Sequence, residues 1–124
     1  MQDFQSLAVW RRAHALTLDV YRQTESFPRA EMFGLTSQLR RSGASIAANL
    51  TEGSGRTQAE FGRFVQIAMG SACQVEYYLL LARDLNYLPT QCHDRLAEEI
   101  RAIKRMLTAL LKTVRERRQA KFSD

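Results

Sequence analysis

The sequence predicts an all-α protein, an antiparallel up-down-up-down four-helix bundle that forms a single domain over residues 1–124. Two observations predict this fold. Apolar residues recur at alternating steps of three and four in four segments, whereas no stretch alternates long enough to form a strand. Only a few residues join consecutive segments, so neighbouring helices should run antiparallel. A chain of 124 residues can bury one core without a metal or a disulfide.

The first two helices are predicted at about residues 6–25 and 31–51. Their apolar stripes are Val9, Ala13, Leu16 and Val20, then Leu35, Leu39, Ile46 and Leu50. Phe27-Pro28 ends the first helix, because the residue before a proline is disfavoured in the helical region. Gly43 lies among small residues in the second helix, where it costs about 1 kcal/mol relative to alanine. Close packing of a neighbouring helix would offset that cost.

The last two helices are predicted at about residues 58–85 and 91–118. A break precedes them, in which Gly53 and Gly55 should end the second helix and supply a positive φ if the turn requires one. Thr57 should then cap the third helix, with Glu60 reaching back in a capping box. The two stripes are Phe61, Val65, Ala68, Ala72, Val75, Leu79 and Ala82, then Leu96, Ile100, Ile103, Leu107, Leu110 and Val114. The basic end after Arg115 is expected to fray.

The positive charge of the chain is concentrated in the fourth helix. The formal net charge is +5, yet residues 1–100 carry ten basic and eleven acidic residues. From position 101 onward there are eight basic residues and only two acids, Glu116 and Asp124. Such a local excess is typical of a surface that meets an anionic partner.

Five of these basic residues share one face of the fourth helix at about 100° per residue. They are Arg101, Lys104, Arg105, Lys112 and Arg115. Phosphate backbones are attracted to such a face, and their binding weakens with salt because counterions are released. A merely solvated face is the alternative, although solvated faces usually mix both signs of charge.

Two pairs of arginines could extend the basic surface, namely Arg40-Arg41 on the second helix and Arg11-Arg12 on the first. The alternative is ordinary ion pairing with Glu25, Glu31 or Glu52. This alternative is favoured, because adjacent residues of a helix do not share a face.

No catalytic residue, metal site or cofactor is expected. Glu52, Glu60 and Glu76 are the internal candidates for a catalytic carboxylate pair, and no spacing pairs them as general acid–base catalysis requires. Cys73, Cys92, His14 and His93 are too scattered for the four ligands of a structural zinc. The segment Gly53–Arg56 lacks the ending of a phosphate loop, so a structural turn is favoured there.

The third helix carries a second stripe that predicts self-association. Phe64, Ser71, Tyr78 and Leu85 recur at every seventh position beside the core stripe, and wide apolar faces are typical of subunit contacts. The sequence has no apolar run of membrane-spanning length and no secretory signal, so a cytoplasmic location is expected.

Several motifs resemble those of the bacterial four-helix bundle protein family, also described as 23S rRNA intervening-sequence proteins. The accessory variability determinant of diversity-generating retroelements is a relative of that family. The most specific block is Ser45-Ile46-Ala47-Ala48-Asn49-Leu50-Thr51-Glu52-Gly53 with Gly55-Arg56, and Leu7 to Ala13, Gly34 to Arg41, Ala68 to Ser71 and Leu85 to Leu88 also match. Residues 4–90 resemble the family throughout, except that Gly43 stands where an alanine-like residue is expected.

The resemblance implies a homopentameric ring with a basic face or channel, nucleic-acid binding and no catalytic residues. We therefore expect a non-enzymatic homo-oligomer that binds RNA or DNA through its phosphates. Arg101, Lys104, Arg105, Lys112 and Arg115 would make the main contacts, with Arg40 and Arg41 behind them. The alternative is a protein-interaction scaffold whose partner is an acidic protein or a reverse transcriptase.

Overall fold

Four long helices form the bundle that the sequence predicts. A computed structural model describes the backbone of residues 3–123 and the side chains of residues 3–120. The helices are α1 (Ala8–Thr24), α2 (Leu35–Ser54), α3 (Gln58–Asp84) and α4 (Thr90–Ser123). Each helix packs beside two neighbours in the order α1, α2, α3, α4 and back to α1, and among the described residues no α-carbons come within 8 Å across a diagonal. The fold is therefore an all-α, up-down-up-down bundle.

The core is built from the predicted apolar stripes. Every stripe residue is buried except Leu110, which is half-buried. Burial of a leucine or isoleucine side chain contributes about 1.5–3 kcal/mol, so these stripes are the main source of stability. Within the part of the chain that the structure describes, no helix is apolar over enough of its length to cross a membrane.

The second helix begins four residues later than predicted. After Pro28, Arg29–Glu31 form a single 3-10 turn, and α2 starts at Leu35. The side chain of Glu31 occupies this corner, where Oε1 accepts from the Leu35 N–H at 3.2 Å and Oε2 accepts from the Tyr87 hydroxyl at 3.0 Å. Glu31 thus joins the α1–α2 connection to the end of α3 and does not pair with an arginine.

The role predicted for Gly53 in the break between α2 and α3 is wrong. It does not end α2, which continues to Ser54, and no glycine of the described chain has a positive φ. A β-carbon at Gly53 would instead lie 2.8 Å from the Phe64 Cβ and 2.9 Å from the Phe61 Cδ1. The glycine is therefore required because two helices approach closely there, whereas its conformational freedom is not used.

Only one of the two hydrogen bonds of the predicted capping box is present at the start of α3. The Thr57 hydroxyl accepts from the Glu60 N–H at 3.3 Å. The Glu60 carboxylate does not reach back to the cap; it lies 3.7 Å from Arg56, which also pairs with Glu52. Two ion pairs with one arginine therefore replace the second half of the capping box.

The fourth helix is longer than predicted. It begins at Thr90 and continues to Ser123, past the expected fraying point at Arg115. Residues 115–121 contain no glycine or proline and consist mostly of arginine, lysine, glutamine, glutamate and alanine, all good helix formers. The turn before α4 contains Asn86, whose φ of 64° is the one positive value among the described non-glycine residues. Asparagine tolerates this left-handed conformation better than most residues.

The second stripe of α3 is mostly covered within the chain. The Ser71 hydroxyl donates to the Ser45 hydroxyl at 2.8 Å, and Phe64 packs beside Gly53, so this side of α3 faces α2. Tyr78 is half-buried, and Leu85 alone of the four stripe residues is exposed. The stripe therefore widens the bundle core, and only its end is available for a second subunit.

Candidate nucleic-acid interface

A groove follows the line where α3 and α4 meet, on the outer face of the bundle. Three concavities of about 340, 500 and 230 Å³ lie in a row along it. We call this surface the basic groove and define it by Arg63, Met69, Arg83, Arg101, Lys104, Arg105, Arg115 and Arg118. The distance from Arg101 to Arg118 along α4 is about 25 Å, since a helix rises about 1.5 Å per residue.

The centre of the groove is organised by one carboxylate. Glu76 on α3 accepts from the Arg101 Nε–H and from the Lys104 ammonium, each at 2.9 Å. Packing of α3 against α4 places these residues opposite one another, and half-burial of Glu76 limits its access to water. Two cations on one carboxylate leave a net positive charge at this point.

This cluster shifts the pKa values of Glu76 and Lys104 in favour of their charged forms. The hydrogen bond from Lys104, together with that from Arg101, holds the pKa of Glu76 below its ordinary value. The hydrogen bond to Glu76 raises the pKa of Lys104. The charged forms of Glu76 and Lys104 are therefore both favoured by their pairing.

The remaining predicted residues of α4 lie along the groove or at its edge. Arg105 lines the 500 Å³ concavity and is exposed, as is Lys112 further along the helix. Arg115 lines the 230 Å³ concavity, where Arg63 of α3 and Arg118 join it. Four of the five predicted side chains, all but Lys112, lie in the concavities that the structure describes between α3 and α4.

Arg40 and Arg41, which were expected behind the main contacts, lie outside the basic groove. Both are on α2, which packs against α1 and α3 and lies diagonally across the described bundle from α4. The Arg40 Nε–H donates to the Thr24 hydroxyl at 2.8 Å, and its guanidinium lies 4.7 Å from the centre of the Tyr21 ring. Arg40 is thus part of the α1–α2 packing, while Arg41 is exposed on a different face of the bundle.

The arginine pair of the first helix also has other partners than those predicted. Arg12 forms a two-pronged ion pair with Glu99 of α4, at 2.8 and 2.9 Å, and Arg11 donates to the Gln5 carbonyl at 2.9 Å. Pairing with Glu25, Glu31 or Glu52 is absent for both among the described contacts.

The sequence pattern does not reveal the charged residues that α3 contributes to the groove. It misses Arg63 and Arg83 because the basic residues of α3 are isolated in the sequence, and no pattern assigns a partner to Glu76. Their distance in sequence from the turn near Leu88 is the information from which they could be predicted. In an antiparallel hairpin, residues equally distant from the turn face each other. Glu76 precedes Leu88 by 12 residues and Arg101 follows it by 13.

Cys73 and His93 line the same 340 Å³ concavity, whereas Cys92 and His14 are not among its lining residues. Cys73 is exposed and Cys92 half-buried, both with free thiols. His93 is buried and lies 2.9 Å from the Asp94 carboxylate through Nδ1. Among the described side chains, no three of histidine, cysteine, aspartate and glutamate cluster closely enough to hold a metal ion.

The fold and the sequence both match known proteins. The crystal structure of a protein of unknown function from the S23 ribosomal protein family of Bacteroides thetaiotaomicron superposes with a TM-score of 0.77. It is 23% identical, and the match covers 84% of this chain and 95% of that one. No curated protein matches the chain. The family model of the 23S rRNA-intervening sequence protein matches residues 5–109, a range that includes Arg101, Lys104 and Arg105. The chain therefore belongs to the 23S rRNA-intervening sequence protein family.

Proposed function

We propose that the protein binds nucleic acid, most readily RNA, through the sugar-phosphate backbone and without catalysing a reaction. The observation that carries this proposal is the basic groove, in which Glu76 is the one acid among the lining residues of the three described concavities. The family name, with its reference to 23S rRNA, supports RNA as the ligand. The cytoplasm, where free cysteines persist and RNA is abundant, is the proposed location.

The spacing of the cations suits a polyanion. Arg101, Arg105, Lys112 and Arg115 lie on successive turns or pairs of turns of α4, and a turn rises about 5.4 Å. A nucleic-acid strand that follows the groove would therefore meet a cation on most turns of α4. The cations would replace the counterions condensed on its phosphates. Arginine also binds phosphate through two parallel hydrogen bonds, which lysine cannot do.

We further propose that the protein acts as a homo-oligomer, a pentamer as the family resemblance implies. Exposed apolar side chains outside the groove support self-association, in particular Phe33 at 97% exposure, Ile67 and Leu85. A ring would repeat the groove in every subunit, so five weak sites could bind one strand with high avidity. Sedimentation at micromolar concentration tests this assembly, and a clean monomer would refute it.

The binding proposal is tested by charge reversal at one residue in the groove, Arg105, and at one on the same helix face beside it, Lys112. We expect the double substitution Arg105→Glu and Lys112→Glu to weaken binding of labelled RNA and DNA strongly at low salt. Arg41→Glu, on α2 and outside the groove, is the matched control and should change affinity little. If the unsubstituted protein binds neither RNA nor DNA at low salt, the proposal is wrong. A scaffold for an acidic protein or a reverse transcriptase would then be the better hypothesis.

A further inference from the structure

One end of the basic groove differs in chemistry from the rest. There the 340 Å³ concavity brings together aromatic, apolar and basic side chains, together with the Glu76 carboxylate and the Cys73 thiol. Tyr77, Leu80 and Arg83 come from α3, whereas His93 and Arg101 come from α4. Pockets for small ligands measure roughly 300–1,000 Å³ and combine apolar walls with a few polar groups. This concavity therefore has the size and the lining of a site for a compact planar group.

Tyr77 provides an exposed flat surface at this site. Its side chain is 56% exposed, although the neighbouring positions Val75 and Leu79 are completely buried. The ring lies 5.8 Å from that of Tyr78 at an angle of 55°, so the half-buried Tyr78 restricts its orientation. An exposed aromatic ring beside arginines is the arrangement on which the bases of single-stranded nucleic acid stack.

His93 adds a polar group that is already oriented. It is 5% exposed, and its Nδ1–H donates to the Asp94 carboxylate at 2.9 Å. This contact leaves Nε2 as the ring nitrogen for a hydrogen bond with a ligand. A base edge carries donors and acceptors of the kind that an imidazole nitrogen can meet.

The cations around the site match the phosphates that flank a base. Arg101 contacts Glu76 through Nε, and its side chain remains 56% exposed. The guanidinium has four further N–H donors. Arg83 forms a 3.0 Å ion pair with Asp84 and lines the same concavity. The site is also continuous with the 500 Å³ concavity, because Arg101 lines both.

We infer that this concavity binds one unpaired base of a single-stranded segment, stacked on Tyr77, while the adjoining phosphates lie along Arg101, Lys104 and Arg105. The inference rests on the proposed nucleic-acid binding and specifies its ligand as a single strand. A duplex cannot use the site, since its bases are stacked on one another and their faces are hidden. The basic groove alone would not distinguish the two, because both present phosphates.

The test compares a single strand with a duplex. Fluorescence anisotropy would use a labelled oligouridylate of about 12 nucleotides, within the roughly 4–16 that comparable sites cover, and its duplex with oligoadenylate. We expect Tyr77→Ala to weaken binding of the single strand about 5- to 150-fold, the range for removal of one base–aromatic stack. Binding of the duplex should not change. Tyr77→Phe keeps the ring and should retain the affinity, while Phe33→Ala removes an exposed aromatic outside the groove as a control.

A positional measurement complements the affinities. Oligouridylate that carries 4-thiouridine is cross-linked by light, and we expect the modified tryptic peptide to be residues 64–83, with the adduct on Tyr77. Circular dichroism of Tyr77→Ala should match that of the unsubstituted protein, because the side chain is exposed.

Separate outcomes overturn the inference and the function on which it rests. Equal affinity for single strand and duplex, with no effect of Tyr77→Ala on either, would overturn the base site and leave backbone binding intact. Displacement of oligouridylate by uridine monophosphate at equal nucleotide concentration would also overturn it, since the site would then serve a free nucleotide. Failure of both probes to bind at low salt would refute nucleic-acid binding itself.

Discussion

Lys104 on α4 and Glu76 on α3 form an ion pair across the floor of the basic groove, with 2.9 Å between Nζ and Oε1. Both side chains are about 30% exposed, so the pair is partly shielded from water. The same carboxylate holds Arg101. Glu76 therefore has two opposing effects: it joins the two helices, and it lowers the positive potential that a phosphate would meet.

The first prediction is that Glu76→Gln strengthens nucleic-acid binding while it weakens the fold. Removing the charge frees two cations for phosphates, so affinity should rise and the salt dependence should steepen. Loss of two partly exposed ion pairs should lower the free energy of unfolding by about 0.5–1 kcal/mol at neutral pH. Anisotropy titrations and urea denaturation measure the two effects.

The stability difference in that experiment should depend on pH. Because the pKa of Glu76 is lowered in the folded protein, the pairs stabilise the fold fully above the ordinary glutamate pKa. Their contribution is lost as the pH falls through the lower pKa of the folded state. The variant and the unsubstituted protein should thus converge in stability toward acid pH. A difference that persisted unchanged there would show that the substitution acts through packing.

A second prediction concerns Arg105, which lines the groove without belonging to the Glu76 cluster. Arg105→Ala should reduce the slope of log affinity against log salt by about 0.7–0.9 for each phosphate that the variant no longer neutralises. Its effect should be similar for unrelated sequences, because phosphates carry no sequence information. Arg41→Ala should leave the slope unchanged. Equal slopes for the two variants would contradict the assignment of the groove as the binding face.

Most of the fold could be predicted from the sequence, because the core stripes depend only on helical periodicity. Val65 and Ile103 are buried as their spacing requires. The site was predicted less completely, since periodicity fixes the face of one helix but not which residue of another helix lies opposite. Arg40 illustrates the limit. Its sequence neighbours indicate a charged surface, whereas its position between α1 and α2 makes it a packing residue.

The third prediction follows from the surroundings of Arg40. Arg40→Ala should lower the free energy of unfolding by about 1–2 kcal/mol, because it removes the hydrogen bond to Thr24 and the cation–π interaction with the Tyr21 ring. Arg40→Lys should recover little of this loss, because an ammonium lacks the planar fork. Nucleic-acid affinity should remain unchanged in both variants. A weakened affinity with intact stability would return Arg40 to the binding surface.

The last prediction contrasts two buried glycines of α2, and it separates helix propensity from packing. A β-carbon at Gly43 would lie 3.8 Å from the Thr17 hydroxyl oxygen, an ordinary contact. Gly43→Ala should therefore raise the free energy of unfolding by about 0.5–1 kcal/mol, the propensity gain of alanine over glycine. This outcome would also explain why the family resemblance favours an alanine-like residue there.

At Gly53 the same substitution should have the opposite sign. The new β-carbon would come within 2.9 Å of both Phe61 and Phe64, and the nearest atom is the Phe64 Cβ, which cannot move without its helix. Overpacking of this kind costs about 1–3 kcal/mol and outweighs the propensity gain. Urea denaturation at equal protein concentration measures both variants, since self-association adds to apparent stability. Stabilisation by both substitutions would mean that α2 and α3 can move apart to admit the new β-carbon. The close approach of the two helices would then not be the reason why position 53 requires a glycine.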